Sequence, residues 1–160
     1  MEQKAASQDS LLAFLKETVV ALKADFACLH LITDAEIELG RFNRTITTLN
    51  RKGTKFNFFL ASKDLKRRIP DLFWATVFGG PYVEMFCRER LLSAPAYEAE
   101  VLSSEAILLQ LTRNISDVSA CSDVFNQVRS KIKQHLANDA FFNPENELSD
   151  SYRFPKFSFV

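Results

Sequence analysis

The sequence predicts an α+β fold: an antiparallel sheet of about four to five strands, packed by N-terminal and C-terminal helices, with an extended aromatic C-terminal tail. Apolar residues recur with a helical period near both ends of the chain, and strand-like apolar runs lie between them. The chain of 160 residues, 47% of them hydrophobic, suffices for a single domain over residues 1–160. Residues 1–8 are expected to be flexible, and residues 139–160 to form the tail that packs on the domain.

The N-terminal part is expected to form a helix, a strand and a second helix. Asp9 or Ser10 can cap the first helix, which should fade near Lys23. Its apolar stripe consists of Leu12, Leu15, Val19 and Leu22. The strand covers residues 26–32 and is expected to be central in the sheet, because both of its faces are mostly apolar. A second helical pattern follows over residues 34–42.

The next part of the chain is basic and less regular. Residues 44–55 are rich in threonine and are broken by Gly53, which predicts a loop or a mobile hairpin. Apolar residues over 56–60 return the chain to the core. A short basic helix is then expected to begin at Ser62 and to end before Pro70, because the residue ahead of a proline disfavours helix.

Residues 69–95 predict a strand, a tight turn and a helix. The strand covers residues 72–78, and Gly79-Gly80 supplies the conformational freedom for a sharp turn. Pro81 suits the first position of a single helix that stops before Pro95. The aromatic residues expected to cluster around this turn are Trp74, Phe78, Tyr82 and Phe86.

The C-terminal part predicts a hairpin, a long helix and the tail. Strands over 97–102 and 106–112 form the hairpin, and Ser122 or Asp123 caps the helix. In the first strand, Tyr97, Ala99 and Val101 are expected to face the core, and Glu98 and Glu100 to face water. The helix stripe consists of Val124, Phe125, Val128, Ile132 and Leu136. Residues 139–160 hold several phenylalanines, which is unusual for a disordered segment.

Composition excludes several classes of function. No apolar run has the length of a membrane span, and the polar N-terminus lacks the apolar core of a signal peptide, so a cytoplasmic location without membrane partners is expected. Three cysteines at irregular spacing argue against a disulfide framework or a metal motif. Cys28 and Cys121 are interpreted as small buried thiols. Neither a metal nor another cofactor is expected.

The strongest candidate for binding is a basic segment within a chain of zero net charge. Residues 41–68 hold nine basic side chains and one acid, Asp64, whereas acids dominate residues 98–150. The nine are Arg41, Arg44, Arg51, Lys52, Lys55, Lys63, Lys66, Arg67 and Arg68. They could form an ordinary solvated surface, dock an acidic protein or contact nucleic-acid phosphates. The zero net charge argues against nucleic acid, because nucleic-acid-binding domains are usually strongly basic.

Catalytic patterns are weak in this sequence. Gly79-Gly80 lacks the spacing of a phosphate-binding loop, and Pro81 removes an N–H that an anion would use. A small enzyme could use Cys28 or Cys87 with His30. Alternatively, it could use a pair of carboxylates drawn from Glu84, Glu89, Glu98 and Glu100.

One group of segments resembles a known family. The runs FWATVFGGPYVEMFCRERLLSAP, AYEAEVL, AILLQLT, IKQHLANDAFFNPEN and RFPKFSF are similar to a family of small uncharacterised bacterial proteins. Members of that family recur beside polymorphic-toxin and secretion-effector genes and resemble immunity proteins. The resemblance covers the chain from about residue 12 onward. Two departures are Cys87, where a glycine is expected, and Gly80, where a proline is expected.

The resemblance implies a non-enzymatic protein that binds and occludes a cognate toxin. Such a partner could be attracted by the segregated charge, which creates a dipolar field. The residues Trp74, Gly79, Gly80, Pro81 and Tyr82 are assigned a structural role in this interpretation. The alternatives are a small enzyme with a Cys/His or carboxylate site, and nucleic-acid binding through residues 41–68.

Overall fold

The structure, a computed structural model, describes residues 7–33, 69–142 and 153–157, and the backbone of residues 46–50 and 53–57. The chain divides into two units, each with its own internal contacts. The first unit comprises Met1–Leu31, Leu72–Asn138 and Pro155–Val160, and the second comprises Ile32–Asp71 and Asp139–Phe154. The helices predicted over 34–42 and after Ser62 lie outside the described residues.

The described elements of the first unit are an antiparallel four-stranded sheet and five α-helices. In chain order they are α1 (Gln8–Leu22), β1 (Phe26–Leu29), β4 (Ala75–Phe78), α2 (Gly80–Phe86), α3 (Arg88–Leu92), β5 (Glu98–Ser103), β6 (Ala106–Gln110), α4 (Asp117–Ala120) and α5 (Ser122–Leu136). The second unit contains β2 (Ile46–Asn50) and β3 (Gly53–Asn57). The predicted α+β class, with an antiparallel sheet and helices near both ends of the chain, is confirmed.

The sheet has the strand order β1-β4-β6-β5, so β4 and β6 form its centre. Every residue of these two strands is buried. The strand β1 was expected to be central, but it lies at one end of the sheet and is only half-buried. Strands β1 (FACL) and β4 (ATVF) have the same length and similar apolar content, so the sequence of β1 does not distinguish an end strand from a central one.

The two faces of the sheet carry different helices. Residues opposite each other on antiparallel strands share a face, so Phe78 and Ile107 lie on one face and Val77 and Leu108 on the other. The rings of α2 pack on the first face, where Phe78 contacts Phe86 with 5.4 Å between ring centroids. Helix α1 covers the second face, where Lys16 forms an ion pair with Glu100.

Helix α1 differs from its prediction in its cap and in its buried face. The cap is Ser7, whose Oγ accepts a hydrogen bond from the Ser10 N–H at 3.2 Å. Of the predicted stripe only Val19 is buried, and Leu22 is 73% exposed. The helix also carries apolar residues outside that stripe, so its hydrophobic period does not determine which side faces the sheet.

The turn between β4 and α2 depends on a close backbone approach. A Cβ on Gly79 would lie 2.4 Å from the Ala24 carbonyl oxygen and 2.6 Å from the Asp25 Cα. The Gly79 N–H also donates to the Asp25 carbonyl oxygen at 2.7 Å. The backbone of Gly79 is extended, with φ −87° and ψ −172°, so the predicted reason for the glycine, conformational freedom, is wrong. The reason is the absence of a side chain.

The helix predicted after Pro81 is two helices, α2 and α3, separated at Cys87. Cys87 has φ 68° and ψ 135°, a backbone conformation that side-chain-bearing residues rarely adopt. A backbone conformation suited to glycine is therefore held here by a cysteine.

Strand β5 also corrects a prediction, because its expected core side is partly exposed. Tyr97, which precedes the strand, is 54% exposed, and Val101 is 44% exposed. Glu98 faces water as expected, but Glu100 forms the ion pair with Lys16 of α1. The alternating pattern identified the two faces of the strand correctly. It could not show that β5 is the last strand of the sheet, where the helices cover less of each strand face.

Helix α5 buries a stripe shifted from the predicted one. Its buried residues are Phe125, Arg129, Ile132 and Leu136, whereas Val124 is 58% exposed and Val128 is half-buried. The shift arises because an arginine occupies a core position. The Arg129 guanidinium carbon lies 4.6 Å from the centroid of the Phe125 ring, and the side-chain stem packs as an apolar group.

The tail is described in two places, one in each unit. In the second unit, the Ile69 N–H donates to the Ala140 carbonyl oxygen at 2.9 Å, and the Phe142 N–H donates to the Ile69 carbonyl oxygen at 2.8 Å. In the first unit, the Phe157 ring lies 6.0 Å from that of Tyr82, edge to face. The first part begins with a 3₁₀ helix (Asn138–Ala140) rather than extended backbone, and Phe141 is buried directly after it. In the second part Pro155 is buried, whereas Phe154 is 56% exposed. The second unit also has the β2–β3 hairpin, one of the two alternatives predicted for residues 44–55.

The two glycines of the turn are expected to respond differently to alanine. Gly79→Ala should lower the free energy of unfolding by about 1–3 kcal/mol, because its methyl group collides with backbone rather than with a movable side chain. Gly80→Ala is the control, since the nearest atom to its Cβ is the Glu105 Cβ at 4.0 Å. Urea denaturation would measure both, and equal effects would contradict the close-approach explanation.

Replacing Cys87 with glycine should stabilise the protein. A strained residue with positive φ lowers the free energy of unfolding by about 1–3 kcal/mol, and glycine would remove this strain. Glycine also makes the unfolded chain more flexible, which offsets about 0.4–1 kcal/mol of the gain. The expected net gain for Cys87→Gly is about 1 kcal/mol. Cys121→Gly is the matched control, because Cys121 is also exposed but has an unstrained φ of −132°. This variant should lower the free energy of unfolding by about 0.4–1 kcal/mol. A loss of stability in both variants would show that Cys87 is not strained.

Candidate functional site

The predicted basic surface cannot be placed in the fold. Its nine residues, all within residues 41–68, lie outside the part of the chain whose side chains the structure describes. Their role in binding therefore remains a prediction.

The predicted structural residues come together where β4 leads into α2. Trp74 is fully buried, and its indole Nε1–H donates to the Thr112 carbonyl oxygen at 2.9 Å. Pro81 lies in the first turn of α2, and Tyr82 is buried against the rings of Phe26 and Phe78. Trp74 supports the sheet centre rather than the ring cluster at the turn. Burial and, secondarily, the nearby Asp25 carboxylate raise the pKa of Tyr82 well above its usual range, so the phenol stays protonated.

His30 is a packed histidine with a backbone donor on one ring nitrogen. Its Nδ1 accepts a hydrogen bond from the Trp74 N–H at 3.0 Å. An accepting Nδ1 carries no proton, so the neutral imidazole carries its proton on Nε2. The Nε2 atom lies 3.5 Å from the Arg129 Nη2, and because both groups are donors in this state the approach is a packing contact. In this state His30 has no lone pair available to accept a proton from a cysteine.

Cys28 is a poor nucleophile in this environment. Burial raises the pKa of its thiol to about 11, so very little of it is thiolate at neutral pH. Cys28 is half-buried, as the interpretation of a packed thiol requires, but Cys121 is exposed, so the same interpretation is wrong for Cys121. Only one sequence neighbour of Cys121, Ala120, is apolar, and the residue lies between α4 and α5, where the chain turns at the surface.

The structure brings together a serine and a histidine that no sequence pattern relates. Ser93 Oγ lies 3.3 Å from the Nε2 of His135, which is 42 residues away in the chain. The same Nε2 lies 2.9 Å from the Arg90 carbonyl oxygen. A carbonyl oxygen only accepts, so Nε2 must be the donor and cannot act as a base toward Ser93. The contact joins the ends of α3 and α5.

The carboxylates do not form a recognisable acid–base pair or metal site. Glu98 and Glu100 lie on the same face of β5, where Glu100 is held by Lys16. Glu84 and Glu89 lie in different helices, α2 and α3. Across the described side chains, no group of three or more histidine, cysteine, aspartate or glutamate residues could hold a metal ion.

One surface pocket of about 300 Å³ lies in the first unit. It is formed by the end of α1, the start of α2, the β5–β6 turn and the tail residues 156–157. Its charged lining residues are Lys23, Asp25, Glu84, Glu105 and Lys156. All five charged side chains are exposed, and both signs of charge are present, so the pocket does not select one ligand charge. The Phe157 side chain, which also lines the pocket, is half-buried.

Exposed apolar side chains are concentrated in two places in the first unit. Leu11, Phe14 and Leu22 project from α1, and Tyr97 and Val101 lie along β5. Isolated exposed apolar residues are common, but groups on one element often mark interfaces. Sequence periodicity missed both groups, because it assigned Leu22, Tyr97 and Val101 to the core.

None of the helices in the described ranges combines the length and apolar content needed to cross a bilayer. Comparisons of the chain with protein-family models, curated proteins and solved structures find no match.

The thiols should differ strongly in reactivity. At pH 7.5, Cys28 should react with iodoacetamide roughly a hundredfold more slowly than the exposed Cys87, because its pKa of about 11 lowers the thiolate fraction and its partial burial limits access. Mass spectrometry of tryptic peptides over time would measure both rates, with Cys121 as a second exposed reference. Similar rates for Cys28 and Cys87 would contradict this assignment and revive Cys28 as a candidate nucleophile.

Proposed function

We propose that this chain is a non-enzymatic protein-binding protein of the immunity type, which binds and occludes a cognate bacterial toxin. The resemblance of the segments after residue 72 to immunity proteins suggests the class of partner. The observation that carries the proposal is the exposed apolar side of α1. This side offers a contact surface that a globular domain does not need for its own folding.

The contact residues lie on one side of the helix. At 100° per residue, Leu11, Phe14 and Leu22 fall within about 80° of one another. Phe14 is 68% exposed, which is unusual for a phenylalanine. The anchoring residues lie elsewhere around the helix: Val19, which is buried, is about 60° from Leu22, and Lys16, which pairs with Glu100, is about 120° from it. The exposed side is therefore available while the helix stays anchored.

Among the described residues, the unfavourable state of Cys28 and of the two histidines supports a binding role. The pKa of Cys28 is raised, and the base nitrogens of His30 and His135 are engaged with the Trp74 N–H and the Arg90 carbonyl oxygen, respectively. Each arrangement that resembled a catalytic pair is thus explained by packing. A binding protein needs only a shaped surface with anchor residues, and a central aromatic residue is the commonest kind of anchor.

In this proposal, inhibition is steric. Phe14 and its neighbours on α1 would insert into an apolar depression near the toxin's active site, and the body of the first unit would exclude substrate. The separation of basic residues in 41–68 from acids in 98–150 would speed the encounter at low salt. Affinity would come mainly from the buried apolar contacts, which are less sensitive to salt.

Co-expression with the toxin encoded beside its gene tests this proposal. The wild-type chain should restore growth and co-purify with the toxin. Phe14→Asp should abolish protection and weaken binding by about 2–4 kcal/mol, the range for a central anchor residue. Val124→Asp is the matched control, because Val124 is an exposed apolar residue on α5.

Melting temperatures separate loss of binding from loss of folding. Both variants replace exposed side chains and should melt close to the wild type. Failure of the wild-type chain to protect or to co-purify would contradict the proposed function. Protection that persists in Phe14→Asp, but is lost in Val124→Asp, would move the contact surface to α5.

A further inference from the structure

Strand β5 has an outer edge that the sheet leaves open. It is the last strand in the order β1-β4-β6-β5 and pairs with β6 alone among the strands that the structure describes. A free strand edge presents a row of N–H and C=O groups that another extended chain can pair with. Natural edges are often blocked by proline or lysine, and neither occurs between Glu98 and Ser103.

The backbone register shows which groups point outward. The Leu111 N–H donates to the Trp74 carbonyl oxygen at 2.8 Å, so Ala75 and Gln110 form a non-hydrogen-bonded pair, and the backbone groups of Leu109 point toward β4. Backbone direction alternates along a strand, so the groups of Gln110 and Leu108 point toward β5, where they face Glu98 and Glu100. The N–H and C=O groups of Ala99 and Val101 therefore point away from β6. The register shift between Val101 and Ser103 ends this regular stretch, so the open edge is short.

The side chains of this edge are sorted by face. Ala99 and Val101 lie on one face with the preceding Tyr97, and Tyr97 and Val101 are exposed. Glu98 and Glu100 lie on the other face. A strand added to this edge would thus meet apolar side chains on one face and carboxylates on the other.

The same two carboxylates argue against a second copy of this chain as the occupant. Antiparallel pairing of two β5 edges would place Glu98 and Glu100 of one copy opposite those of the other, on one face. Like charges directly opposite each other destabilise a strand pair. A segment with basic residues at those positions would be favoured instead, particularly at Glu98, because Lys16 already neutralises Glu100.

We propose that the outer edge of β5 binds an extended segment of a partner protein, in which lysine or arginine alternates with apolar residues. The segment would add a fifth strand to the sheet. Its main chain would pair with Ala99 and Val101, its basic side chains would lie over the two carboxylates, and its apolar side chains would pack beside Tyr97 and Val101. This surface is distinct from the exposed side of α1, and the inference does not depend on the immunity-type function.

A labelled peptide tests the inference with the purified full chain. The probe is an acetylated and amidated hexapeptide in which lysine and valine alternate, measured by fluorescence anisotropy. One control has the same composition with three lysines followed by three valines, and another alternates glutamate with valine. The alternating lysine peptide should bind at least roughly fivefold more tightly than either control, and should slow hydrogen exchange at the Ala99 and Val101 amides.

Two variants separate charge from main-chain pairing. Glu98→Gln keeps every backbone N–H and should weaken binding about two- to fivefold. Ala99→Pro removes an outward N–H and should weaken binding about fivefold, without breaking a bond to β6, because proline is tolerated where the N–H faces solvent. If Ala99→Pro fails to fold, a probe methylated on alternate amide nitrogens removes the same bonds from the ligand side.

Three results would overturn the assignment. Equal binding of the block peptide would mean general charge attraction, and equal binding of the acidic peptide would remove the role of the carboxylates. A dimer of the free protein that Ala99→Pro abolishes, detected by sedimentation, would mean that a second copy occupies the edge. Phe14→Asp tests only the α1 surface, so peptide binding at β5 should be unchanged in this variant whether or not toxin protection is lost.

Discussion

The backbone contact between Gly79 and the Ala24–Asp25 segment is the constraint on which the rest of the first unit depends. No Cβ fits at Gly79, and its N–H is bound by the Asp25 carbonyl oxygen. The contact fixes the end of β4 beside the start of β1, where Phe26 pairs with Phe78. Helix α2 begins one residue later, so Tyr82 is placed against both of these rings. One missing side chain thus sets strand register, helix entry and aromatic packing together.

The fold class and most elements could be predicted from the sequence because they rest on local periodicity. The hairpin of β5 and β6, the α5 helix and the turn at Gly79 follow from patterns a few residues long. Burial was harder to predict. Val124 and Leu22 belong to helical stripes but are exposed, because the side of a helix that faces a sheet depends on distant residues. The break at Cys87 was hidden, since cysteine gives no signal of a positive φ.

The candidate surfaces were the least predictable part. Whether Tyr97 and Val101 are covered depends on the order of strands in the sheet, which no local pattern encodes. Similarly, the pairing of Ser93 with His135 joins residues 42 positions apart. Whether a histidine nitrogen can act as a base depends on whether it donates or accepts a hydrogen bond. For His135 this is decided by the Arg90 carbonyl oxygen, and for His30 by the Trp74 N–H. The presence of histidine, cysteine and serine suggested a nucleophile and a base, but the hydrogen bonds made by Nδ1 of His30 and Nε2 of His135 do not leave either of these nitrogens free to act as that base.

The sole tryptophan of the chain lies where it reports on the assembly of the sheet. Trp74 is fully buried, its indole N–H is bonded to Thr112, and its carbonyl oxygen accepts from the Leu111 N–H at 2.8 Å. Unfolding of the first unit would transfer this indole from an apolar surrounding to water, whereas binding at exposed Phe14 or at the β5 edge would leave it untouched. Intrinsic fluorescence therefore follows folding separately from recognition, without any label.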